Sequence, residues 1–336
     1  MKLPKFEYQT PQSLVEACQI AASEGQTAQI IAGGTDLLQA LKYRLKSPRL
    51  LIDISSLSEL QTIDYSRQKG VTIGSLVTLR QLAEHPAIRD HYPLLAQAAL
   101  SMGSVQLQAM GTIGGNICQD TCCIFYNQPP MSRLGIDPCF KLGGEKCHAV
   151  KGSKICWATY CGDMAPALLA LRAQLTIAEQ SGDKTIPMNS LFSGQGENPH
   201  HLQPGQLLKE IHLPPPADDV RGAYLKMRLR KSIDYPLLGV AVNIILADAE
   251  KGTLKEVSIA LTAVEKSPLL VVTPATVAEC SDLEAQIAIM ADAATKAAHP
   301  IANTSGYSPR YRREMVKVYV MQAIKQAMVL GRRQGT

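Results

Sequence analysis

Aromatic side chains are scarce in this chain. Among 336 residues there are one Trp, four Phe and eleven Tyr, which leaves little from which to build a base-stacking platform. Charge of one sign is lacking too. Lys and Arg exceed Asp and Glu by only five, too mild a balance to suggest a nucleic-acid binder by itself. No long apolar run occurs: the longest, Tyr235 to Ala247, falls short of the roughly 20 residues that a bilayer demands. The opening MKLPKFEYQT has no apolar segment of the secretory kind. These absences exclude a membrane span and a fibre, and lead to the expectation of a cytoplasmic protein that binds no nucleic acid. The chain is 46% hydrophobic and 19% charged, a globular composition, and its length predicts two or three packed units.

Cysteine is plentiful and unevenly placed. Seven of the nine fall between positions 118 and 161. Disulfides are not expected in a long chain without an export signal, so the cluster reads as soft-metal ligation. Between Asn127 and Gly152 the segment carries Pro129, Pro130, Gly135, Pro138, Gly143 and Gly144, which break helices and strands. So long a loop needs something to organise it. Cys123, Cys139, Cys147 and Cys156 stand 16, 8 and 9 positions apart, without the close pairs typical of structural zinc. An iron–sulfur cluster accepts such separated ligands. Spacing favours the cluster but leaves zinc and free thiols open.

Glycine-rich turns flank the cysteines. An amphipathic helix over Leu14 to Ala22 precedes a short buried strand, Gln29 to Ala32, then Gly33-Gly34-Thr35-Asp36 and a helix from Leu37 to about Tyr43. A strand, a glycine turn and a helix start together offer free N–H groups to an anion, with Thr35 and Asp36 as N-cap types. An ordinary capped turn explains the same residues equally well. A second turn, Gly111-Thr112-Ile113-Gly114-Gly115-Asn116, follows a helix over Leu94 to Met102. Asp163 precedes a further helix and reads either as its cap or as an acceptor for a ligand hydroxyl. Neither G-x-G-x-x-G nor G-x-x-x-x-G-K-[ST] occurs.

AGGTDLL at 32–38, GTIGGN at 111–116 and GDMAPALLAL at 162–171 resemble the signature of the FAD-binding subunits of xanthine oxidase-type molybdenum hydroxylases. The group includes carbon monoxide dehydrogenase medium subunits. Tyr224 to Arg228 and Asp234 to Leu237 look like the start of its C-terminal flavoprotein domain. The segment DTCCIFYNQ at 120–128, with PCFKLGGEKCH at 138–148 and KIC at 154–156, is similar to the beta subunit of 4-hydroxybenzoyl-CoA reductases, which holds an extra 4Fe–4S cluster in an inserted loop. Aldehyde oxidoreductases of the same superfamily also have a cluster-bearing FAD subunit, with a less similar loop.

The resemblance implies 4Fe–4S ligands at Cys123, Cys139, Cys147 and Cys156, with Cys118, Cys122 and Cys161 left as buried thiols. It implies FAD held by Ile30, Ile31, Ala32, Gly33, Gly34, Thr35, Asp36 and Leu37, by Gly111, Thr112, Ile113, Gly114 and Gly115, and by Asp163 and Lys226. Met102 and Leu208 would pack around the flavin ring, although plain core packing suits both. Further implied are a molybdopterin-binding large subunit, a small 2Fe–2S subunit, a dimer of heterotrimers and an electron carrier such as ferredoxin. The expected activity is electron relay for reductive dehydroxylation. The alternatives are relay outward from an aldehyde or heterocycle hydroxylase, and a zinc-stabilised FAD module whose loop has no redox role. Tyr126 and Phe125 are read as sealing the flavin or packing the core. The basic residues of the last helix, Arg310, Arg312, Arg313, Lys317, Arg332 and Arg333, are read as a solvated face.

The expected fold class is α+β. An FAD-binding domain spans 1–218, divided into a small βαβ unit (1–57) and a larger α/β unit (58–218) that carries the cysteine-rich insertion at about 120–160. Pro214-Pro215-Pro216 marks the linker. A C-terminal domain over 222–333 holds a three-stranded sheet and two helices.

Overall fold

The computed structural model describes residues 2–230, 232–248, 253–280 and 282–330. Arg332 and Arg333, expected on the last helix, and the end of the expected domain at 333 lie outside them.

Three sheets follow one another along the chain, each with its own apolar core. The first is parallel, with β1 (Glu7–Gln9), β2 (Ala28–Ile31) and β3 (Leu50–Asp53) in the order β1-β3-β2. The helix Leu14–Glu24 covers it and buries Leu14, Ala17, Cys18 and Ala21, a spacing that puts all four on one face. Ser13 caps its start, and Gly25 at φ +58° ends it.

The second sheet is antiparallel throughout. It contains β4 (Ile63–Ser66), β5 (Gly70–Gly74), β6 (Gln174–Glu179), β7 (Gly182–Pro187) and β8 (Leu207–Leu213), in the order β4-β5-β8-β6-β7. Between β5 and β6 the chain leaves for a set of helices, among them Pro93–Ser101 and Met164–Ala170, and for the cysteine-rich insertion.

The C-terminal sheet has four strands rather than the expected three. Its order is β12-β11-β10-β9, formed by β9 (Val220–Met227), β10 (Leu238–Asp248), β11 (Thr253–Thr262) and β12 (Leu269–Val271). The fourth strand is three residues long, too short for an alternating pattern to register. One face packs on the helices Leu283–Ala297 and Pro309–Leu330. In the latter, Val316, Val320, Ala323, Ile324 and Ala327 form a single buried stripe. The opposite face gives Tyr224, Ala241 and Ala260 to the core of the second unit. Burial on both faces explains why β10 reads as a nearly unbroken apolar run.

One of the basic residues expected to face solvent does not. Arg312 is 3% exposed and donates to the carbonyls of Leu237, Ile301 and Ala263, knitting the last helix to the sheet. Among the described residues, no helix is long and apolar enough to cross a membrane.

Candidate functional site

The two glycine turns, distant in sequence, meet backbone to backbone. A Cβ placed on Gly33 would lie 1.7 Å from the Met110 carbonyl oxygen, and one on Gly111 would lie 3.5 Å from Thr35 Oγ1 and 3.1 Å from Met102 Cε. Only glycine permits so close an approach. Gly34 takes φ +69°, which turns the chain from β2 into the helix Leu37–Lys42. Ile30 and Ala32 pack on the first core, and Ile31 Cδ1 lies 3.5 Å from a Cβ on Gly34.

The turns differ in what they leave free. Among the described residues, no backbone N–H from Gly33 to Leu37 donates to a backbone carbonyl outside regular elements. In the second turn Ile113 donates to Val77 at 2.9 Å, Gly114 to Ser75 at 2.9 Å, and Gly115 to Thr112 Oγ1 at 3.1 Å. Its N–H groups are thus engaged, two by the segment after β5 and one by the Thr112 cap, and its glycines serve close packing: a Cβ on Gly114 would lie 2.7 Å from Ser75 Cβ.

Neither expected acidic cap acts as one. Asp36 and Asp163 precede their helices with αR backbones and make no side-chain cap bond. The helix Met164–Ala170 is capped from afar by Asn116, whose Oδ1 accepts from Met164 N at 3.0 Å. Asp163 is instead paired in the interior. Its Oδ2 lies 2.9 Å from Lys226 Nζ, both side chains being at most 4% exposed, and Tyr224 donates to its Oδ1 at 2.8 Å. Burial pushes the Asp163 carboxyl up, against Lys226 and Tyr224, which pull it down. Lys226 also donates to the Ser101 carbonyl at 3.3 Å, beside half-buried Met102. Gly239, opposite Lys226 on β10, leaves room for the Tyr224 ring: a Cβ there would lie 2.4 Å from its hydroxyl. Leu208 is buried in the second core on β8, opposite Ile177.

Cys123, Cys139, Cys147 and Cys156 line one cavity, together with Phe125, Tyr126, Phe140, Lys141, Lys146, His148 and Ala158. Phe125 and Tyr126 stand at these thiols. His148 lies beside the Phe125 ring, with its Nε2 2.8 Å from the Asp137 carbonyl. Cys139 and Lys146 form an isolated bridge, and the stem of the insertion closes where Cys122 and Thr159 exchange two backbone bonds at 2.8 Å. Gly196 backs the cavity, since a Cβ there would lie 2.8 Å from Cys156 Sγ. Burial pushes the Cys156 thiol up to about 11 and raises Cys123 against the N–H groups of Phe125 and Tyr126. A cationic centre is what such thiols need in order to ionise. Among the described residues, no three His, Cys, Asp or Glu side chains are spaced for a single metal ion. The four thiols share one lining and are the donor type that soft-metal centres take.

Cys122 does not line this cavity. Its thiol interacts with that of Cys161, which, with burial, raises it well above the usual thiol range. Cys161 is buried as expected, whereas Cys118 and Cys122 are half-buried. Sequence reasoning passed over Asp120, Lys141 and Tyr224 as site residues, although all three stand inside the quoted motifs. Their partners lie far along the chain, and no local spacing announces them.

The family model for the FAD-binding domain in molybdopterin dehydrogenase matches residues 4–216, and that for the CO dehydrogenase flavoprotein C-terminal domain matches 223–327. The chain is 36% identical over 248 residues to the aldehyde oxidoreductase FAD-binding subunit PaoB of Escherichia coli, covering 71% of this chain and 77% of that protein. It is 27% identical over 332 residues to the glyceraldehyde dehydrogenase medium chain of Sulfolobus acidocaldarius, covering 96% and 98% of the two. A carbon monoxide dehydrogenase from Hydrogenophaga pseudoflava superposes with a TM-score of 0.78 at 25% identity, over 98% of this chain and 99% of that one. With its glycine turns, buried Asp163–Lys226 pair and two-domain match, the chain belongs to the family of FAD-binding medium subunits of molybdenum hydroxylases.

Proposed function

We propose that this chain is the flavo-iron–sulfur subunit of a molybdopterin-dependent oxidoreductase. It relays electrons between an external one-electron carrier such as ferredoxin and the partner subunits through a 4Fe–4S cluster and FAD. The observation that carries the reading is the gathering of four far-spaced thiols around one cavity, on an insertion rooted between the glycine turns and Asp163.

On this reading Cys123, Cys139, Cys147 and Cys156 hold the cluster. The first turn, Ile30 to Leu37, receives the FAD pyrophosphate on its N–H groups. Gly111 to Gly115 form the opposite wall, Met102 and Leu208 supply apolar packing, and Asp163 with Lys226 supplies buried polarity at the flavin. Bound together, these groups supply conversion between two-electron and one-electron traffic. The protein's part is to fix their spacing and keep water out. Residues 1–218 serve as the FAD-binding domain and 222–333 as the C-terminal flavoprotein domain. The partners are a molybdopterin-binding large subunit, which chooses the substrate, and a small 2Fe–2S subunit, in a dimer of heterotrimers.

The insertion's sequence supports a 4-hydroxybenzoyl-CoA reductase-like complex, with electrons running inward for reductive dehydroxylation. The likeness to an aldehyde oxidoreductase FAD-binding subunit supports a second reading, in which electrons run outward from an aldehyde. Assaying the purified complex with each substrate class separates the two.

The relay itself is tested on anaerobically purified protein by quantifying flavin, iron and acid-labile sulfide. About one flavin and four iron atoms per chain are expected. Cys139→Ser should abolish the cluster. Iron-free protein after anaerobic reconstitution, or ferredoxin-driven turnover unchanged in Cys139→Ser, contradicts the reading.

A further inference from the structure

One buried cation shares the cavity with the thiols. Lys141 follows Cys139 in the turn Phe140–Leu142, and its side chain is 4% exposed. Its Nζ donates to Asp120 Oδ1 at 2.6 Å, to the carbonyls of Thr121 at 3.0 Å and Gly196 at 3.1 Å, and to Thr121 Oγ1. It also lies 4.9 Å from the centroid of the Tyr126 ring. This is a fixed ammonium rather than a solvated loop lysine.

Asp120 is the second link. Its Oδ2 lies 3.7 Å from Lys46 Nζ, and its side chain is 20% exposed. Burial pushes its carboxyl up, but Lys141 and Lys46 outweigh that and hold it below the usual range. On the far side Asp120 meets the first glycine turn. Burial, foremost, and the nearby Asp120 charge push the Asp36 carboxyl up. A chain of charges therefore runs from the cavity wall to the turn: Lys141, Asp120 and Asp36, with Lys46 alongside. Lys141 lines the cavity and Asp120 does not, which orients the pair.

We propose that Lys141 is a positioning residue for the cysteine-lined centre: with Asp120 it forms a fixed ion pair, positive end toward the thiols and negative end toward the first glycine turn, that sets the centre's reduction potential. The proposal rests on reading the four thiols as cluster ligands. Reduction adds negative charge at the centre, so a nearby cation favours the reduced form, and burial keeps that influence from being screened. Removing the lysine exposes the centre to Asp120, whereas neutralising Asp120 leaves the lysine uncompensated. The two changes must act in opposite directions.

The test is an EPR-monitored redox titration of the full-length chain, purified anaerobically with its companion subunits, with iron content and melting temperature measured on each sample. Lys141→Met should lower the cluster's midpoint potential, Asp120→Asn should raise it, and the double variant should return toward wild type. Lys141→Arg should stay near the wild-type value. If Lys141→Met fails to hold iron, the contrast between Lys141→Arg and Asp120→Asn decides. Potentials that do not move, or that move the same way in both single variants, overturn the proposal, because a merely structural lysine gives no such sign reversal. Wild-type protein without iron and labile sulfide is a different result: it overturns the cluster reading, and this proposal with it.

Discussion

Gly33 presses on the carbonyl of Met110, so that a single added methyl would stand 1.7 Å from the Met110 oxygen. That contact holds the first glycine turn against the end of the helix Val105–Met110. Gly33→Ala is therefore expected to part the two turns, lowering flavin content to below about a tenth of wild type and stability by about 1–3 kcal/mol, the usual range for overpacking. Gly135→Ala is the control, since nothing lies within 4 Å of a Cβ there. Its stability should stay within about 0.5 kcal/mol of wild type. Flavin absorbance per chain and urea midpoints check both.

Lys226 and Asp163 are buried together, and removing one strands the other. Lys226→Met should cost about 3–5 kcal/mol, as expected for breaking a buried pair. The double variant Lys226→Met/Asp163→Asn should recover part of the loss, because no carboxylate then remains unpaired. Denaturant unfolding of the four proteins in the cycle measures the coupling.

Cys122 and Cys123 are neighbours with different surroundings. Cys123 lines the cavity, and the Cys122 thiol turns to Cys161. Cys122→Ser should keep iron at the wild-type level, and Cys123→Ser should lose most of it. Iron retained in Cys123→Ser and lost in Cys122→Ser would reverse the assignment.

His200 carries a pH dependence. Burial, foremost, lowers its pKa to about 4, and its Nε2 lies 3.3 Å from the Ile117 carbonyl. The unfolded chain, with a histidine pKa near 6.5, binds the proton more readily. Stability from the neutral imidazole is therefore whole above about pH 6.5 and drains away as pH falls toward about 4. The loss is on the order of 2–3 kcal/mol, allowing for partial exposure. His200→Gln should flatten the melting temperature between about pH 6.5 and 5. A profile as steep as the wild type's would rule out this histidine as the source.

Elements with long apolar periodicity were readable from the chain itself. The helices expected over Leu14 to Ala22 and Leu94 to Met102 run Leu14–Glu24 and Pro93–Ser101, and the strand expected over Gln29 to Ala32 runs Ala28–Ile31. The short elements escaped. β12 has three residues, with Leu270 exposed, and the helix Val105–Met110 has six, so neither completes a pattern. Side-chain roles set by distant partners escaped as well. Asp163 precedes a helix and has the composition of a cap, but its fate is decided by Lys226 and Tyr224 on β9. Arg312 sits among basic neighbours, but three carbonyls from separate segments draw it inward. That Cys123, Cys139, Cys147 and Cys156 come together was legible because a thiol has few structural uses in such a loop, and the four do line one cavity. Lysine and aspartate have many.

The stem of the insertion is fastened to the last domain: Tyr160 N donates to the Glu265 carbonyl and Ala263 N to the Tyr160 carbonyl, each at 3.0 Å. During synthesis the cysteines leave the ribosome on the order of a hundred residues before that fastening exists, and domains fold in order of emergence. On the cluster reading, iron delivery is thus expected to wait until the chain through Glu265 has emerged and folded. A chain ending before β11 should take up no iron although all four thiols are present, and iron loading of such a fragment would show that the scaffold matures without its clasp.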